Sequence, residues 1–178
     1  MGILEYVLLI LIVACLLGIS YISMYNRFQI NVIRINEAEA NIDAALRKRF
    51  DLLNKAIKVI KNNVKDEKDI LSNIKNLRSK KLNNFELDRE LIDAMNEFYG
   101  YIEKYPDLKS NEQYMNINFG LAETESEITA FRKYYNDIIT DYNKMVKTFP
   151  SNIVALFSKY KVKPYFDGKK ELDKNVKL

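Results

Sequence analysis

Residues 6–25, YVLLILIVACLLGISYISMY, run for twenty positions without a charge between Glu5 and Arg27. As a helix rising about 1.5 Å per residue, the run spans about 30 Å, the hydrocarbon thickness of a bilayer. Tyrosines at 6, 21 and 25 stand near its two ends, where amphipathic rings favour the headgroup region. The chain is therefore expected to hold to the lipid bilayer through residues 6–25. A cleaved signal peptide needs a basic start, and no Lys or Arg precedes Arg27. Ile12-Val13-Ala14-Cys15 does resemble a lipobox, so a lipoprotein clipped before Cys15, with the rest of the chain outside the cell, is the competing reading. The plain reading of Cys15 is a small apolar residue facing lipid. Orientation follows the basic residues: residues 1–5 carry none, whereas Arg27 and Arg34, then Arg47, Lys48 and Arg49, follow the span. The expected topology is single-pass, with the N-terminus outside and the remainder cytoplasmic.

Past residue 25 the pattern turns amphipathic. Ile35, Ala38, Ile42, Leu46, Phe50, Leu53, Ile57, Ile60 and Val64 follow three- and four-residue steps, and neither Gly nor Pro occurs between residues 19 and 99. The membrane helix should continue as a stalk to about Asn62. A second stretch carries Ile70, Leu71, Ile74 and Leu77, is interrupted over residues 80–84, and resumes with Leu87, Leu91, Ala94, Met95, Phe98 and Ile102. Asn83 with Glu86 can box the restart, and Pro106 ends it. Ser110 with Gln113 reads as a second capping box. It opens the most regular stretch, in which Tyr114, Ile117, Leu121, Thr124, Ile128, Phe131, Tyr135, Ile138, Tyr142, Met145 and Phe149 alternate steps of three and four. Leu121, Ile128, Phe131, Tyr135 and Ile138 are its expected core. Pro150 ends that helix, Ser151 can cap a short one to about Ser158, and residues 159–178 read as an irregular, lysine-rich, solvated tail.

The expected fold class is all-α: a single N-terminal transmembrane helix continuing into an antiparallel bundle of three long helices, four if the break in the second is counted. In chain order this gives a short extracytoplasmic N-terminus (1–5), the membrane helix (6–25), the bundle (26–158) and the tail (159–178). Three helices of about 38 residues with short connections predict an up-down-up course. That course would put the turn at Tyr105 to Ser110 on the bilayer surface and the tail at the far end.

Composition removes most chemistry. Histidine is absent, which takes away the usual general base and the usual partner in bundle metal sites. Glu123, Glu125 and Glu127 form the one carboxylate cluster on a regular helix, and they read as a solvated face or as partners for cations on a neighbouring helix. No glycine-rich loop is present to cradle phosphate. No enzyme activity, cofactor or metal is expected. The seven lysines of residues 159–178, against three acids, account for the whole formal charge of +4. No basic stripe with interleaved aromatics points to nucleic acid.

Four stretches carry a family likeness: Glu39-Ala40 onward through NIDAALRKRFDL to Asp51-Leu52; Tyr105-Pro106-Asp107-Leu108-Lys109; LAETESEI on to Arg132-Lys133-Tyr134-Tyr135-Asn136-Asp137; and Phe149-Pro150-Ser151-Asn152. Over nearly its whole length the chain resembles the LemA family of bacterial membrane proteins. The resemblance implies a membrane helix and a helical bundle on the cytoplasmic side of the bacterial inner membrane. The family has no agreed activity. A magnetosome-membrane protein is among its relatives, and its genes often lie beside a membrane zinc metalloprotease, which makes a membrane protease system a candidate partner. Asn41, Asn54 and Asp66-Glu67 depart from the tryptophan, proline and His-Glu usual in the family.

Two function classes remain. One is a non-catalytic scaffold or adaptor presenting a protein-interaction surface in the cytoplasm. The other is a membrane-organising protein acting on lipid through the membrane-proximal turn. The candidate surface for either is Tyr105, Pro106, Asp107, Leu108 and Lys109. Taking residue 27 as level with residue 111 suggests two interhelical polar pairs, Asp43 with Arg132 and Arg49 with Asp137.

Overall fold

The computed structural model describes residues 2–63 and 82–166. Among these the chain is all-α. Helix α1 (Ile3–Asn63) is uninterrupted, as expected where no Gly or Pro breaks the stalk. Helix α2 (Asn84–Lys104) starts on a capping box in which Asn83 Oδ1 accepts from the Glu86 amide and Glu86 Oε2 accepts from the Asn83 amide. A 3-10 turn (Pro106–Ser110) leads to α3 (Glu112–Lys147), and a short α4 (Ser151–Phe157) follows. The expected residues Val64 and Ile70 to Leu77, the Asp66-Glu67 departure and the last part of the tail lie outside the described residues.

Two caps differ from expectation. Asn111, rather than Ser110, caps α3, its Oδ1 accepting from the Tyr114 amide at 3.1 Å, while the Ser110 hydroxyl donates back to the Asp107 carbonyl and closes the 3-10 turn. Ser151 opens α4 without capping it. Its hydroxyl donates to the Met145 and Thr148 carbonyls and so satisfies the end of α3.

The packed chain forms two units, Met1–Glu37 with Tyr135–Tyr165, and Ala38–Tyr134 with Phe166–Leu178. In the first unit, residues 3–23 of α1 are exposed along their whole length, as a lipid-facing span would be, and burial begins at Phe28. Phe28 meets Tyr142 of α3 edge to face at 5.9 Å and stacks on Tyr160 at 4.6 Å. Asn31 Nδ2 donates to Met145 Sδ, a second contact between α1 and α3 in this unit. The chain then returns along α3: Asn143 donates to the Lys163 carbonyl and accepts from the Lys163 amide, and Tyr165 reaches Thr140. Residues 159–166 are thus a packed strap rather than the start of a solvated tail. Tyr160 and Phe166 supply the apolar anchors that a count of lysines obscured.

The strap leaves α4 through a Schellman turn. The Tyr160 amide donates to the Ala155 carbonyl and the Lys159 amide to the Leu156 carbonyl, which places Lys159 in the left-handed region at φ 59. A lysine there carries about 1–2 kcal/mol of strain, partly offset by its lower unfolded-state entropy relative to glycine. Lys159→Gly is expected to stabilise the protein by about 0.5–1 kcal/mol in urea unfolding. A lowered unfolding midpoint would contradict this assignment.

In the second unit the buried face is built from Ala38, Ile42, Leu46, Leu53, Ala56 and Ile57 of α1, Leu91, Phe98 and Ile102 of α2, and Leu121 and Ile128 of α3. Gly120 sits so close to α1 that an added Cβ would lie 3.2 Å from Leu52 Cδ1. Lys48, one turn before Leu52, reaches Glu123 and Glu127, which follow Gly120, so α3 runs antiparallel to α1 in this unit. The parallel course expected for these two helices is therefore corrected. Helix α2 begins beside Glu39, whose carbonyl accepts from Asn84 Nδ2, and it runs in the same direction as α1. The up-down-up scheme assumed a tight reversal at the end of α1, whereas α2 starts some 24 residues back along it, about 36 Å of helix.

Candidate functional site

Antiparallel packing moves the expected surface. Within the second unit the 3-10 turn precedes the α3 residues that face Leu52, so it lies toward the Asn63 end of α1. Leu108 is buried and braces the turn, Tyr105 is half-buried against Tyr101 at 4.8 Å, and Pro106, Asp107 and Lys109 are exposed.

Lys109 also borders a groove of about 760 Å³ between α2 and α3, with Tyr99, Ile102 and Tyr114 behind it and Met115 and Phe119 on its rim. Phe119 is 75% exposed and Met115 50%. Burial raises the phenols of Tyr99 and Tyr114 above their ordinary range, and at Tyr99 the nearby Arg49 pulls the other way. The groove escaped the sequence reading because Met115 and Phe119 lie off the heptad series. Their i, i+4 spacing beside Tyr114 was the available signal.

The polar positions gather differently from the expected pairs. Asp43 makes an i, i+4 bridge to Arg47 at 2.7 Å. Arg49 is level with residues near 124, about 20 Å of helix from Asp137, so that pair does not form. Instead Arg49, fully buried on α1, pairs with Glu125, donates from Nε to Thr124 Oγ1 at 3.4 Å, and lies 3.9 Å from Asp88. Asp88, fully buried on α2, also pairs with Arg132 of α3, which lies over the Phe166 ring. Two guanidiniums and two carboxylates therefore join three helices in one node. Its charge balances internally, which suits it to set register rather than to bind an ion. The remaining acids of the cluster hold Lys48, whose ammonium is kept above its ordinary value by hydrogen bonds to Glu127 and then Glu123. Of the expected core, Leu121, Ile128, Tyr135 and Ile138 are buried and Phe131 is half-buried.

One long apolar helix continuing into packed helices, with a balanced ionic node at their centre, defines an all-α helical-bundle protein whose α1 is long and apolar enough to cross a membrane. The chain belongs to the LemA family, whose sequence profile matches residues 38–178. It is similar to Protein LemA of Metamycoplasma hominis, at 31% identity over 143 residues, covering 76% of this chain and 65% of that one. It is also similar to the magnetosome proteins MamQ 1 and MamQ 2 of Paramagnetospirillum magneticum, each at 29% identity over 77 residues, covering 43% of this chain and 28% of theirs. The chain thus spans less than two thirds of the length of these relatives.

Proposed function

We propose that the protein is a non-catalytic scaffold of the bacterial inner membrane, with its N-terminus outside and its helices presenting a protein-docking groove in the cytoplasm. The observation that carries this reading is the α2–α3 groove, where Phe119 and Met115 stand exposed over Ile102, Tyr99 and Tyr114. An apolar floor with exposed aromatic and Met rims suits an apolar side chain or helix of a protein partner. Glu103 and Lys109 at its edge offer one charge of each sign for orientation. Non-catalytic action is supported by the absence of histidine from the sequence and by an ionic node in which two carboxylates balance two guanidiniums. A membrane protease system is one partner class consistent with such a scaffold.

A photo-reactive residue at position 119, introduced into the full-length protein in its native host, tests this reading. A discrete protein adduct that disappears when Lys109→Glu is combined with Met115→Asp is expected. Lipid adducts alone, or no adduct, would overturn the groove as a docking site. Protease added to intact spheroplasts tests the topology independently: digestion of the bundle without lysis would place it outside.

A further inference from the structure

The end of α3 and the short α4 present large apolar side chains to solvent on one side of the first unit. Val154 and Ala155 of α4 are buried, while Phe149 is 79% exposed, Leu156 77% and Phe157 73%, with Ile153 beside them. A turn that must face water would not ordinarily place four such side chains within nine residues.

Their position along α1 supplies the occupant. Tyr160, directly after α4, stacks on Phe28, faces Tyr25 at 6.5 Å and accepts a hydrogen bond from Gln29 Nε2 at 2.6 Å. Phe149, Pro150 and Ser151 share a cleft of about 560 Å³ with Met24 and Arg27. Tyr25 is the last residue of the stretch read as the span, so the apolar turn stands where α1 would leave the hydrocarbon. The charges agree with that level: residues 141–166 carry Lys144, Lys147, Lys159, Lys161 and Lys163 against the single acid Asp141, and the facing stretch of α1 carries Arg27 and Arg34.

We propose that residues 149–157 are a second membrane contact, an interfacial foot that seats Phe149, Ile153, Leu156 and Phe157 at the headgroup–acyl boundary of an anionic bilayer. Apolar side chains entering that boundary under a ring of lysines are the composition of a membrane-surface segment. The foot rests on the reading of residues 6–25 as a membrane span and adds a function to it. A single span leaves a helix free to tilt and to rotate about its own axis, whereas a second contact offset from that axis fixes both.

The absence of tryptophan makes the test direct. Full-length protein carrying Phe157→Trp is reconstituted into phosphatidylcholine vesicles with and without phosphatidylglycerol, and the emission is read with and without acyl-brominated lipid. Leu17→Trp reports on the span and Phe119→Trp on the groove. Blue-shifted emission from Phe157→Trp, quenched by the brominated lipid and more strongly with phosphatidylglycerol at low salt, is the expected result, with Phe119→Trp unquenched. Emission from Phe157→Trp that stays solvent-like in every vesicle, while Leu17→Trp is quenched, overturns the foot and leaves the span intact. Blue-shifted but unquenched emission also overturns it, because a protein or a second copy would then cover the surface. Loss of quenching at both positions overturns the span and the foot together.

Discussion

Replacing Asp88 by Ala is expected to cost about 3–5 kcal/mol of stability, read as a fall in the urea unfolding midpoint of the full-length protein in detergent. Asp88 is fully buried and is the only carboxylate among the described residues that faces both Arg49 and Arg132. Removing it leaves two guanidiniums with one acid, Glu125, whose side chain is half-exposed and reaches only Arg49. The penalty comes from the charge left without a partner more than from the attraction lost. Asp88→Leu combined with Arg49→Met and Arg132→Met should therefore recover most of the stability, since it removes the buried charge with its partners. Double-mutant cycles sharpen the assignment: strong coupling is expected between Asp88 and Arg132 and none between Asp43 and Arg132, because Asp43 is committed to Arg47. An unchanged midpoint for Asp88→Ala would remove the node as the element that sets helix register.

The node also shows where sequence reasoning stops. Helix positions were legible because their signals are local: Asn83 with Glu86 starts α2, Pro106 follows its end, and the absence of Gly and Pro past residue 18 keeps the stalk of α1 whole. Helix direction was not, since a heptad stripe reads the same whichever way its neighbour runs, and only the start of α2 beside Glu39 reveals the course of the chain. That error paired Arg49 with Asp137, where the structure pairs it with Glu125 and sets it beside Asp88. A signal for the true partners was nonetheless present. Arg49 stands midway between Ile42 and Ala56 on the buried face of α1, and Asp88 precedes Leu91 by one step on α2. Charged residues that fall in register with the apolar stripe on facing helices point to one another. The apolar turn beyond α3 was hidden for a different reason. Phe149 completes the heptad count and so read as core, whereas only the fold shows it to be 79% exposed.

That contrast gives the second large effect. Ile128 and Phe149 lie on the same stripe of the sequence, three heptads apart, yet Ile128 is fully buried between the helices of the second unit and Phe149 is 79% exposed. Ile128→Ala removes methylenes from a site whose neighbours are held by three helices, and collapse into the cavity is restricted. The expected cost is about 2–5 kcal/mol, with Leu121→Ala in the same range. Phe131→Ala, at a half-buried position, should cost less. Phe149→Ala removes a larger side chain but little buried surface, so its effect on unfolding in detergent should stay within about 0.5 kcal/mol. The ordering is the test, because periodicity alone ranks these positions as equals while burial separates them. If Ile128→Ala melted with the parent protein, or if Phe149→Ala fell as far as Ile128→Ala, the packing of α3 against α1 and α2 would have to be redrawn.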